Sequence, residues 1–245
     1  MKTSGYLLTS LLILVFATVA PAAWFVDTET GVAISGYNDA RIPGDSGTRF
    51  SLSEELRADP APFYRLRVGD TFLERHTVSF LYAPLTILSA GKIDREVDFN
   101  GKTFAADTPL RSSFRFDSYR LTYRYDFYRS EKLEIGAGLT GKIRDAAISL
   151  DGAEFTEKKN TGAVPLINFR LNWLFAPNWA LLFEGDALAA PQGRAEDVLL
   201  AVTPRLNEHL ALKIGYRMLE GGADNDEVYT FSLIHYALVG MTAYF

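Results

Sequence analysis

The chain has 245 residues, 48% hydrophobic, 13% aromatic and 22% charged, a composition that folds rather than stays disordered. With 25 basic against 30 acidic residues its formal charge is −5, which excludes the basic balance of a nucleic-acid binder. The absence of cysteine excludes a disulfide scaffold, thiol catalysis, a thiolate metal site and a lipid anchor on an N-terminal cysteine.

Lys2 precedes an apolar run from Leu7 to Phe16, and Ala20-Pro21-Ala22 offers small residues at both positions a signal peptidase reads. Residues 1–22 are therefore expected to be a cleaved secretory signal peptide. Their apolar core is too short for a spanning helix, which needs about 20 residues. After Trp24 no apolar run long enough for such a helix occurs. Residues 23–245 are expected to form a single domain, either soluble outside the cytoplasm or a membrane β-barrel.

Period-2 alternation recurs and predicts ten strands, with eight as the alternative count. They run Glu29 to Tyr37, Phe63 to Leu73, Thr77 to Ala90, Phe114 to Tyr128, Leu133 to Ala147, Gly162 to Phe175, Trp179 to Ala189, Val198 to Leu206, Leu210 to Glu220 and Val228 to Phe245. Connections alternate in length. The tight ones, at Glu74-Arg75-His76, Arg129 to Lys132, Ala176-Pro177-Asn178 and Asn207-Glu208-His209, all follow even-numbered strands. The short turns therefore share one end of the sheet and the long loops the other, the asymmetry of outer-membrane barrels with periplasmic turns and extracellular loops.

Alternation alone does not separate a membrane barrel from a soluble sandwich, but the length of the apolar faces does. In the fourth strand Tyr119, Leu121, Tyr123, Tyr125 and Phe127 share one face, opposite Ser118, Arg120, Thr122, Arg124 and Asp126. In the sixth, Pro165, Ile167, Phe169, Leu171, Trp173 and Phe175 do the same. Spanning strands need about 9 to 11 residues, sandwich strands about five or six. Aromatic residues gather beside the tight turns, at Phe72, Phe127, Tyr128, Trp173, Phe175 and Trp179, as an interfacial girdle would.

The last strand alternates Phe231, Leu233, His235, Ala237, Val239, Met241, Ala243 and Phe245. A final amphipathic strand ending in an aromatic resembles the C-terminal signature of bacterial outer-membrane proteins. With the leader and the loop asymmetry, the whole chain resembles a small Gram-negative outer-membrane β-barrel protein, with no subfamily assigned. The resemblance implies an all-β, closed, antiparallel, up-and-down transmembrane barrel in the bacterial outer membrane. It implies lipid and lipopolysaccharide as its surroundings, the barrel-assembly machinery as a partner through the strand ending at Phe245, and a monomer.

If the apolar faces meet lipid, the opposite faces fill the lumen. That set comprises Arg65, Arg67, Arg120, Arg124, Asp126, Glu134, Lys142, Arg144, Asn168, Arg170, Asn172, Glu184, Asp186, Lys213 and Arg217. A lumen so filled is narrow or closed. Pairing about Pro177 sets Glu184 opposite Arg170, and an ion pair is expected there. Ala190 to Asp197 reads as a compact polar loop turning at Pro191 and Gly193. The acids of Gly221 to Glu227 read as a solvated turn, because their spacing is not that of a calcium loop.

Catalysis has few candidates. His76 and His209 sit in periplasmic turns, which leaves His235 with Ser232 and Asp186 or Asp224. Ser232 and His235 point to opposite faces of an ideal strand, so a triad needs a bulge. No HExxH, GxSxG, phosphate-binding or dinucleotide pattern occurs, and neither cofactor nor metal is expected. Three readings stand, in this order. The first is a structural or surface-interaction barrel. The second is a porin-like narrow channel or site for small anionic solutes, drawn by Arg120, Lys142, Arg144 and Arg217. The third is an outer-membrane lipid or peptide hydrolase using His235.

Overall fold

The computed structural model describes residues 23–190 and 193–245. The expected leader, residues 1–22, and the expected turn residue Pro191 lie outside them. The strands are β1 (Ala23–Arg41), β2 (Phe50–Ser51), β3 (Ala61–Phe72), β4 (His76–Ala83), β5 (Thr86–Gly91), β6 (Val97–Phe99) and β7 (Lys102–Phe104), then β8 (Leu110–Arg129), β9 (Leu133–Asp151), β10 (Phe155–Ala176), β11 (Trp179–Ala190), β12 (Gly193–Asn207), β13 (Leu210–Asp224) and β14 (Tyr229–Tyr244). Strands β1, β3, β4 and β8 to β14 pair antiparallel with their neighbours in chain order. β14 returns to β1, from Phe25↔Tyr244 to Arg41↔Tyr229. The result is a closed up-and-down barrel of ten strands.

The expected strand from Thr77 to Ala90 is broken. β4 and β5 both pair with β8, and Pro84 between them has no N–H to give the ladder. The short turns hold positive-φ residues suited to tight reversals. Asn178, with φ 64°, closes the two-residue turn between Ala176 and Trp179, and asparagine is among the few residues that tolerate this region.

The surface is inverted relative to a soluble protein. Tyr119, Leu121, Tyr123, Tyr125 and Phe127 of β8 are each at least 37% exposed, whereas Ser118, Arg120, Arg124 and Asp126 between them are buried. The same holds around the wall, with Leu66, Phe80, Leu139, Ile167, Leu200, Ile214 and Val239 outside. A closed cylinder with oily residues outside and ionic ones within suits lipid, where all backbone groups must bond internally. Trp24, Phe127, Tyr128, Trp173, Phe175 and Trp179 are exposed at the short-turn end. Phe72 instead lies half-buried, stacked on His76 at 5.4 Å.

The long-loop end is more structured than the sequence suggested. Ile42, Phe50, Leu52 and Leu56 of the first loop pack with Ile93, Val97, Phe99 and Phe104 of the second, over Phe114, Ile148 and Leu150 of the wall. The strands also run beyond the expected bounds there: β10 starts at Phe155 rather than Gly162, and β12 at Gly193 rather than Val198.

Candidate functional site

Inside the barrel, side chains from opposite walls meet in one ionic layer. Asp197 of β12, 1% exposed, accepts from Arg65 of β3 at 3.0 Å and from Arg217 of β13 at 2.5 Å, and lies 2.5 Å from Arg120 of β8. Glu29 of β1 takes Arg217 in a two-pronged pair at 2.8 and 3.0 Å and Lys213 at 2.9 Å. Lys213 also donates to Asp27 at 2.7 Å. Asp186 of β11 receives Arg120 at 2.8 Å, Thr140 at 2.6 Å and Asn168 at 2.9 Å. Each charge thus has a partner of opposite sign, the condition under which charges are tolerated in a dry interior.

The layer divides the lumen. Toward the short turns lies a cavity of 470 Å³, lined among others by Arg129, Glu134, Arg170 and Asn172. Toward the long loops lies one of 540 Å³, lined by Asn38, Phe114, Phe116, Lys142, Arg144, Leu188, Leu219 and Ser232 among others. Beside Phe63, Arg65, Arg120 and Tyr236 lies a small void of 10 Å³, space for about one water at most.

The residues expected in the lumen fall into three groups. Arg65, Arg120, Asp186, Lys213 and Arg217 form the layer. Below it, Arg67 bonds Glu184 at 2.8 Å and Arg124 bonds Asp126 at 2.9 Å, while Arg170 faces the lower cavity. Lys142 and Arg144 line the upper cavity. The expected Glu184 and Arg170 ion pair is corrected. The two are register partners, but the Glu184 carboxylate bonds Arg67 across the lumen, because inward side chains converge on the axis and long guanidinium arms reach the far wall.

Sequence reasoning missed three acids of the layer: Asp27, Glu29 and Asp197. In the sequence Asp197 falls at the end of the polar stretch from Ala190, which reads as a loop, and the alternation of β1 is first evident at Glu29. Asp27 and Glu29 carried a usable signal, since they alternate with Val26, Thr28 and Thr30 and so share one face.

The catalytic candidates are not brought together. His235 stays on the outer face, where its Nδ1 and the Tyr216 hydroxyl share a hydrogen bond of 2.6 Å and the rings stack at 5.9 Å. The bulge in this region belongs to β1, between Ser35 and Tyr37, and does not turn His235 inward. Ser232 lines the upper cavity, and Asp186 is committed to Arg120. No group of three or more histidine and acidic residues among those described is arranged to hold a metal.

No family model matches the chain, and no curated protein matches it in sequence. Among solved structures, it is similar to the outer-membrane protease OmpT of Escherichia coli, with a TM-score of 0.59 and 8% identity over 94% of this chain and 99% of that one. The Yersinia pestis attachment invasion locus protein Ail matches with a TM-score of 0.39 and 8% identity, over 90% and 98% of the two chains. Neisserial surface protein A matches with a TM-score of 0.35 and 12% identity, over 91% and 99%. The likeness to OmpT is one of fold: the chain has the architecture of a bacterial outer-membrane β-barrel.

Proposed function

We propose that this protein is a sealed, non-conducting barrel of the outer membrane with a structural and surface-interaction role, exported by residues 1–22 acting as a cleaved signal peptide. The observation that carries the reading is the ionic layer. Six strands contribute its charged groups, the cations are matched by Asp27, Glu29, Asp186 and Asp197, and the two large cavities lie on opposite sides of it. A conducting pore needs continuous water.

The layer also has a structural use. Because its partners lie on β1, β3, β8, β11, β12 and β13, a slip of any strand by one residue would turn its charge toward lipid. The packed first and second loops offer the outward surface on which contacts with lipopolysaccharide or other molecules would be made. The strand ending at Phe245 is the segment proposed to meet the assembly machinery. The test is conductance of the refolded mature chain in planar bilayers. A flat trace is expected, and discrete steps in the wild type would overturn the reading.

A further inference from the structure

In the upper cavity Lys142 and Arg144 have no acidic partner among the described residues, the one acid of the lining, Glu220, being held by Arg194 at 2.7 Å. Lys142 is 4% exposed, and among the described residues it makes neither a hydrogen bond nor an ion pair. Its ammonium lies 4.7 Å above the Phe116 ring at the cavity floor. One step outward, Arg144 bonds only the Asn160 amide oxygen and leaves its Nε unpartnered. Asn38, 1% exposed on the opposite wall, also has an unpartnered amide nitrogen. Donors without acceptors are costly in a buried site, and the Lys142 ammonium, which borders the cavity without an acid, together with the two unpartnered nitrogens of Arg144 and Asn38 points to an acceptor supplied from outside. The rest of the lining is largely apolar, from Phe116, Val164 and Leu188 among others.

The wall beside this cavity is open. Pairing of β10 with β11 ends at Ile167↔Ala187, although β10 continues up to Phe155 along β9. β11 turns back into β12 at Ala190↔Gly193. Pro165 sits on the unpaired stretch and has no N–H to offer a partner. Ala163, Val164 and Pro165 on one side and Leu188 and Ala190 on the other all border the cavity. This window lies at the height of the lipid-facing belt, since Ala163 and Pro165 share rows with Ile143 and Gly141 of β9 and with Tyr119 and Leu121 of β8. Above it Asn100 of the β6–β7 turn reaches Thr156 and the Glu157 carbonyl.

We propose that the upper cavity binds a single-headed amphipathic anion, its acidic head held by Lys142 and Arg144 and its apolar chain in the cavity, admitted sideways from the outer leaflet between β10 and β11. The volume of 540 Å³ falls within the range of about 300 to 1,000 Å³ typical of small-ligand sites. The ionic layer supplies only the floor, so the site stands or falls separately from the absence of conductance.

The probe is an undecanoate bearing a terminal dansyl group, with its methyl ester as the uncharged control, and the full mature chain folded in vesicles. Saturable binding of one probe per barrel is expected, with the ester bound at least about tenfold more weakly, as loss of a charge-assisted head contact requires. Lys142→Met combined with Arg144→Gln should weaken the acid to the level of the ester, and Lys142→Arg should retain it. Neither Lys142 nor Arg144 bonds to a side chain of the ionic layer, although Lys142 stands beside Arg120 in register, and heat-modifiable mobility on gels verifies folding. Equal binding of acid and ester, or binding indifferent to the double substitution, overturns the site. Inorganic phosphate should fail to displace the probe, and equal competition by it would overturn the amphipathic ligand.

The route has its own arm, made simple by the lack of cysteine. Continuing the register beyond Ile167↔Ala187 sets Pro165 opposite Ala189. Pro165→Cys and Ala189→Cys joined by a bismaleimide should slow loading from vesicles that already contain the probe. Unchanged loading would overturn the lateral route and assign the ligand to the aqueous side.

Discussion

Asp197→Asn tests whether the ionic layer holds the barrel together. The carboxylate is buried among Arg65, Arg120 and Arg217 at 3.0, 2.5 and 2.5 Å. The substitution keeps the shape and one acceptor but leaves three guanidinium groups short of their shared counter-charge. Breaking a buried pair on one side costs about 3 to 5 kcal/mol, and the retained amide oxygen places the expectation near the lower end, about 3 kcal/mol. The assay is the denaturant midpoint of the barrel folded into vesicles, followed by heat-modifiable mobility. Glu157→Gln, which removes an exposed pair with Lys159, serves as the comparison, with a loss of at most about 1 kcal/mol. Adding Arg120→Gln to Asp197→Asn should cost less than the two single losses together, by about 1 to 3 kcal/mol. A loss at Asp197 no larger than at Glu157, or strict additivity with Arg120, would refute the view that these groups form one cooperative unit.

Leu139, 65% exposed on the lipid face between Tyr123 and Ile167, is expected to tolerate Arg poorly, with Leu139→Arg losing about 2 to 4 kcal/mol in the same assay; an unchanged midpoint would mean this face does not contact hydrocarbon. Gly31 sits at φ 149° on the closing seam, and a Cβ there would run into the Ala237 carbonyl, so Gly31→Ala should destabilise closure by about 1 to 3 kcal/mol, read as faster unfolding. On the external side, Arg95 holds the Glu55 carboxyl below its ordinary range by hydrogen bonding, with burial opposing, and Glu55 in turn accepts from the Ser51 amide at 2.7 Å. Its folded value being depressed, the contribution, under about 1 kcal/mol for so exposed a pair, is complete above the ordinary carboxyl value of about 4.3 and is lost as pH falls through the folded value. Hydrogen exchange at Ser51 should therefore lose protection in acid, and protection unchanged down to about pH 3 would refute that assignment. His235→Ala should cost less than about 1.5 kcal/mol by the same unfolding assay, since it removes one hydrogen bond to Tyr216; a larger loss would mean the His235 contact is more than peripheral.

The barrel was legible because its signal is periodic and long. The ten alternating segments matched ten wall strands, and Tyr119 to Phe127 alone specify which face of β8 meets lipid. What escaped notice lies where alternation fails. Gly193 to Asp197 extends β12 with Glu196 and Asp197 side by side, polar on both faces, so that the run reads as a loop. The second loop hides a two-strand hairpin from Val97 to Phe104, too short for periodicity to register. Glu184 illustrates a different limit: register named its neighbour, Arg170, but a closed lumen lets side chains choose partners across the axis, and Glu184 bonds Arg67.

The missed acids change the electrostatics more than the fold. Counting the arginines and lysines of the inward faces without Asp27, Glu29 and Asp197 makes the lumen look like a basic conduit for anions from end to end. With those acids present, Arg120 and Arg217 are each bound to two carboxylates and have no charge to spare for a passing solute. Attraction for an anion is then confined to the place where cations outnumber acids, and on the external side that is the Lys142 and Arg144 wall. Moving anion affinity from the axis to a cavity closed below also changes its consequence. If the barrel is sealed as proposed, an anion held there does not move on through it, and its occupancy depends on how it arrives from the membrane or the medium, which is what cross-linking Pro165→Cys to Ala189→Cys distinguishes.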